Sequence, residues 1–85
     1  MRLSGLAKGE QGVVQGLDVT GHGGAIEEAE LERRLLEMGF VEGAHVKVLH
    51  EGLFGRDPIA VKLDDMRVAL RRREADAILM DAVPA

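Results

Sequence analysis

Three histidines, His22, His45 and His50, carry the most adaptable chemistry in this chain, because imidazole ligates transition metals and exchanges a proton near neutral pH. Their spacing argues against a shared metal. His45 and His50 stand five apart in a segment that reads as a strand, so their side chains leave opposite faces, and His22 can meet either only through the fold. Exposed or edge-strand histidines are the plainer reading. No resident metal or other cofactor is expected, and if a metal binds, His22, His45 and His50 are its first candidate ligands. Ser4 and Thr20 are the sole hydroxyl side chains besides an absence of Tyr, and there is no Cys. No nucleophile, base and orienter come together in the sequence, so the chain reads as a non-enzyme.

The cations offer binding rather than catalysis. Arg71-Arg72-Arg73 is the single basic run, and adjacent guanidinium groups grip phosphate or carboxylate in a bidentate manner. The better-supported reading of the run is a solvated face neutralised by Glu74, Asp76 and the acidic helix upstream. Arg56, in a loop flanked by Gly55, offers a further guanidinium that could meet an anionic partner, although a solvated loop residue is the plainer reading. Leu36, Leu53 and Phe54 are apolar residues that the core pattern does not claim. Either the loop carrying Leu53-Phe54 folds back over the core, or these residues serve a partner. The flexible pair Gly52 and Gly55 around them favours the partner reading. Leu36, Leu53, Phe54, Arg56, Arg71 and Arg72 are therefore the expected partner-binding residues.

Eighty-five residues build one modest core, and residues 1–85 are expected to form a single domain. With 46% hydrophobic and 31% charged residues, the composition is that of a chain that folds. The absence of Cys removes disulfides and thiolate metal sites together. The longest unbroken apolar run, Ala77 to Met80, is far short of the ~20 residues of a membrane span, and the first residues carry no signal-peptide core. A cytoplasmic protein with no direct membrane insertion is the expectation. The net charge is −4, and the whole acidic excess lies in residues 1–43. With Phe40 and Phe54 as its only aromatics, the chain lacks the basic field and stacking platforms of nucleic-acid binders.

The elements that must hold these residues follow from periodicity. Gly12 to Thr20 alternates as a strand, with Gly16 marking a bulge or bend, and residues 20–24 form a Gly-rich loop around His22. Leu31, Leu35 and Met38 recur at helical spacing in a helix over Ala25 to Met38, with Glu27, Glu28 and Glu30 at the favourable end of its dipole and Glu30 positioned to pair with Arg34. Gly39 suits a left-handed stop that lays Phe40 against Leu35. A strand over His45 to Glu51 precedes a loop from Gly52 to Pro58. Ile59 to Leu63 and Met66 to Leu70 read as a hairpin about Asp64-Asp65, residues 72–77 as one helical turn, and Ile78 to Val83 as a final strand. Five short strands with one inserted α-helix make a mainly β fold, and at this size a small, strongly bent five-stranded barrel is the economical architecture.

Several of these stretches occur in a familiar order. Arg33-Arg34-Leu35-Leu36-Glu37-Met38-Gly39-Phe40-Val41-Glu42-Gly43, then Val46-Lys47-Val48-Leu49, Asp57-Pro58, Val68-Ala69-Leu70-Arg71 and Glu74-Ala75-Asp76-Ala77-Ile78 together resemble the FeoA family. The resemblance covers residues 31–83 well and the first strand more loosely; Asp64-Asp65 stands where relatives often carry Gly. It implies an SH3-like barrel and a small cytoplasmic accessory protein of ferrous iron uptake. The implied partner is the GTPase-bearing cytoplasmic domain of the FeoB-type importer, which this protein would modulate, with weak self-association as a further expectation. Similar barrels serve as modules of metal-dependent repressors, so the alternative is a regulatory or nucleic-acid-binding SH3-like module.

Overall fold

The main helix stops where glycine lets it. Helix α1 spans Ala25–Met38, and Gly39 follows at φ 110°, a left-handed backbone that a side chain resists. There the Phe40 N–H donates to the Leu35 carbonyl and the Gly39 N–H to the Leu36 carbonyl, each at 3.0 Å. This is the Schellman pattern expected from the sequence. Phe40 and Leu35 are both fully buried, so the stop also seats the helix on the core. Leu31 and Met38, half-buried, flank Leu35 against that core.

The computed structural model of the chain describes residues 1–55 and 57–82, and at Leu53 and Phe54 the backbone only. The strands are β1 (Gln11–Leu17), β2 (His45–Phe54), β3 (Asp57–Leu63), β4 (Met66–Leu70) and β5 (Ile78–Ala82), with a short helix α2 at Arg72–Ala75. They form one antiparallel sheet in the order β4-β3-β2-β1-β5. The inward row Val46, Val48, Ile59, Val61, Leu63 and Leu70 is buried, whereas Lys47, Lys62 and Arg67 between them are exposed. That strict alternation is what a sheet with one wet face requires. The β1 to β5 pairing slips between Val14 and Gly16, the bulge that Gly16 announced. Among the described residues the sheet does not close, leaving β4 and β5 as its edges.

Those edges are treated differently. At β5 the N-terminal residues lie alongside: the Met80 N–H donates to the Met1 carbonyl at 2.6 Å, and Arg2 bridges to Leu79. Near β4 the second half of α1 makes two attachments. Arg34 pairs with Glu74 on α2, just beyond Leu70, and Gly39 lies against Leu63 and Met66 at the β3–β4 turn.

Two local expectations need correction. Residues 52–58 are not a long loop: β2 runs on to Phe54, which pairs with Asp57 at the start of β3. Leu53 and Phe54 thus belong to a strand rather than a loop tip. Gly52, which read as loop punctuation, is needed because a Cβ there would collide with the Asp57 carbonyl across the hairpin. Secondly, the first six residues contribute to the core. Leu3, in a 3-10 turn over Leu3–Gly5, and Leu6 are both buried.

Candidate functional site

The arginine run alternates in and out. Arg72 is half-buried; its guanidinium donates to Glu51 at 2.6 Å and to the Ser4 carbonyl at 2.8 Å, while its N–H reaches Asp57 at 2.8 Å. It staples α2 to the N-terminal turn and to the β2–β3 hairpin. Arg71 and Arg73 are exposed, and neither pairs with an acidic side chain among the described residues. The reason is geometric: α2 is a single turn, so only the middle arginine points back over the sheet.

Around the two outer arginines lies a cleft of about 300 Å³ lined by His22, Leu31, Arg34, Arg71, Arg73 and Glu74. Its walls come from three parts of the chain. The Gly-rich loop supplies His22, whose Nε2 lies 2.9 Å from the Arg73 carbonyl and whose Nδ1 lies 3.2 Å from the Val19 carbonyl. The Gly21 N–H of that loop donates to Glu28 at 2.8 Å, which fixes the loop to the first turn of α1. Arg34 reaches across to Glu74 rather than to Glu30; the helix's own pair is Arg33 with Glu37 at 4.0 Å. Glu74 is the more sheltered acid, and attraction is stronger where solvent is thinner. Its other oxygen accepts the Arg71 N–H at 3.0 Å. The pairing of Arg34 with Glu74 was not foreseen from the sequence, which offered Glu30 as the partner of Arg34, because a 40-residue separation leaves no local signal.

Beneath this cleft the loop's base is held by Asp18. The Thr20 N–H and the Arg2 guanidinium donate to its carboxylate at 3.1 and 3.0 Å, and the Thr20 hydroxyl first, then Arg2 and the Thr20 N–H, lower its pKa to about 2. The Ser4 hydroxyl donates to Asp76 at 3.0 Å, so it too serves the fold.

The remaining predicted residues fall elsewhere. Leu36 leaves the core face of α1 and is 44% exposed. Val41 and Met66 are also exposed near the same end of the helix. Ile26, at the opposite end, is the most exposed large apolar residue among the described residues, at 74%. The side chains of Leu53 and Phe54, and Arg56 altogether, lie outside the described residues. His45 and His50 are exposed on β2, remote in sequence from His22. Among the described residues no group of three His, Cys, Asp or Glu side chains is placed to hold a metal ion, and no helix is long and apolar enough to cross a membrane.

Comparison with known proteins places this architecture. Residues 1–82 match the model of the FeoA domain. The chain is 36% identical over 83 residues to an Fe(2+) transport protein A/Fe(2+) transporter FeoB fusion protein of Porphyromonas gingivalis; the match takes in 98% of this chain but 9% of that protein. Among solved structures it is similar to FeoA of Stenotrophomonas maltophilia, complexed with zinc and described as a procaryotic SH3 domain protein. That likeness has a TM-score of 0.79 at 33% identity and covers 95% of this chain and 89% of the other. FeoA from Chlorobium tepidum gives a TM-score of 0.79 at 32% identity, with coverage of 99% and 71%.

Proposed function

This chain belongs to the FeoA family, and from that premise we propose that it is a non-enzymatic cytoplasmic accessory of ferrous iron uptake, docking on the GTPase-bearing cytoplasmic domain of a FeoB-type importer and modulating it. One observation carries the reading. In the Porphyromonas gingivalis relative a segment similar to nearly the whole of this chain is covalently continuous with the FeoB transporter. A covalent linker converts docking into an intramolecular event at an effective concentration that reaches millimolar. Without such a linker the encounter depends on the docking surface alone.

That surface is built from the residues left over by the core. Leu36 presents an apolar side chain at the outer face of α1, and Arg71 presents a guanidinium at the rim of the cleft. Leu53, Phe54 and Arg56 in and beside the β2–β3 hairpin complete the proposed contact set, and Arg72 holds α2 and that hairpin in a fixed relation. Apolar anchors and arginine are the residue types enriched in binding hot spots.

Titration calorimetry of the chain against the importer's cytoplasmic domain, followed by GTP hydrolysis rates with and without it, tests the proposal. A saturable complex, weakened by Phe54→Ala or Leu36→Ala without loss of melting temperature, is the expected result. Absence of any complex overturns it.

A further inference from the structure

The outer face of the sheet carries a second feature. Lys47 on β2 stands directly opposite Lys62 on β3, and Lys62 directly opposite Arg67 on β4. All three are exposed, and among the described residues none pairs with a carboxylate. Like charges in direct cross-strand register oppose the pairing of the strands. Two such oppositions in succession, in a protein of net charge −4, are not a by-product of a generally basic composition. Adjacent strands lie about 4.8 Å apart, so the row spans about 10 Å across the sheet.

Its surroundings leave it open. On one side the next cross-strand pair is Ala60 with Ala69, two side chains too short to cover Lys62 or Arg67. On the other, a cleft of about 350 Å³ is lined by Gln11, His45, Lys47, Lys62 and Asp64 among others. Asp64 shares that cleft, and one of its oxygens accepts the His45 N–H at 3.0 Å.

We infer that the row Lys47–Lys62–Arg67 is a docking face for an acidic helix of a protein partner. On a helix, carboxylates at i, i+4 and i+7 share one face and extend over about 10.5 Å, the span of the row. Charge reach decides against larger anionic surfaces. A membrane or a duplex feels the field of the whole molecule, which is negative, whereas a short helix within a screening length of about 8 Å feels the local cations. The chain's single described phenyl ring, that of Phe40, is fully buried, so no Phe, Tyr or Trp platform stands beside the row among the described residues. The face lies on the sheet and the proposed importer contacts lie on α1, α2 and the β2–β3 hairpin, so the inference stands whichever protein supplies the helix.

The probe is a synthetic peptide, helical by circular dichroism, with Glu at i, i+4 and i+7, titrated into the ¹⁵N-labelled full chain alongside its Gln counterpart. Amide shifts confined to β2, β3 and β4 around the row, at least tenfold weaker binding of the Gln peptide and of the Lys62→Gln chain, and affinity falling as salt rises are expected. Because Lys62→Gln relieves the cross-strand repulsion, its melting temperature should equal or exceed that of the parent. Four results would overturn the inference: no binding of the Glu peptide, binding indifferent to Lys62→Gln, a melting temperature lowered by that change, or equal competition at the row by tripolyphosphate or phosphatidylserine vesicles. A dimer in sedimentation that Lys62→Gln abolishes would also overturn it, by making a second copy the occupant.

Discussion

Leu35 on α1 and Leu63 on β3 are both fully buried, yet the elements that carry them are held in different ways. Leu63 sits where two ladders meet, paired with Val46 on one side and Met66 on the other. Leu35 is the one fully buried side chain of a fourteen-residue helix, with Phe40 behind it and the Arg34 to Glu74 pair beside it. The sheet is redundant in its support, whereas the helix hangs from a few points. Burial of a side chain therefore says how much apolar surface it hides, and the number of fixed neighbours says how the structure responds to losing it.

Identical truncations test this most directly. Leu63→Ala leaves a hole bounded by strands that cannot close on it, and should cost about 4–5 kcal/mol in chemical denaturation. Leu35→Ala should cost about 2–3 kcal/mol, because the helix can shift to fill part of the space, and hydrogen exchange should rise in α1 well before it rises in β2 to β4. Equal costs, or equal loss of protection in both regions, would erase the distinction.

A smaller effect sharpens it at the joint. Gly39→Val forces a branched side chain into φ 110° with Leu63 Cδ2 at 3.3 Å from its Cβ. Thermal melts should register about 1–2 kcal/mol or more, and an unchanged midpoint would mean that the helix stop tolerates rearrangement.

Glu74→Gln keeps the acceptor for the Arg71 N–H and removes the charge facing Arg34. With Arg34 largely exposed, the expected cost is about 1 kcal/mol or less, seen as faster exchange in the central turns of α1 rather than in the sheet.

The smallest effect is a pH dependence. Asp18 has a pKa of about 2 when folded, below the ordinary carboxylate value of about 3.9, so its contribution is complete above pH ~4 and is lost as pH falls toward 2. The melting temperature of Asp18→Asn should lie below the parent's by a constant amount above pH 5, and the gap should narrow below pH 4. A constant gap down to pH 2 would show that the loop base is held some other way.

How much was legible beforehand follows the range of each interaction. The helix, its glycine stop with Phe40 against Leu35, and the Asp64-Asp65 hairpin depend on neighbours within a few residues, and periodicity and turn chemistry report these well. The extension of β2 to Phe54 escaped because Gly52 has two opposite meanings, a loop or a close approach of two backbones, and the second depends on Asp57 arriving from across the hairpin. Leu3 and Leu6 gave only one apolar spacing, too short to distinguish a buried turn from a frayed end. In the candidate site, the run Arg71–Arg73 was visible as charge, but the inward turn of Arg72 onto Ser4 and Glu51 required the fold. The row of Lys47, Lys62 and Arg67 was invisible for a similar reason: each residue is an ordinary outward position, and only the strand register lines them up.

The hydrogen bond from Met80 to Met1 has a consequence at the edge of the sheet. It brings Met1 beside strand β5, and with Arg2 bridging Leu79 the N-terminal segment occupies backbone groups on that edge. An open edge is a template for pairing with another chain, so the segment that buries Leu3 and Leu6 also guards the sheet against edge-to-edge aggregation.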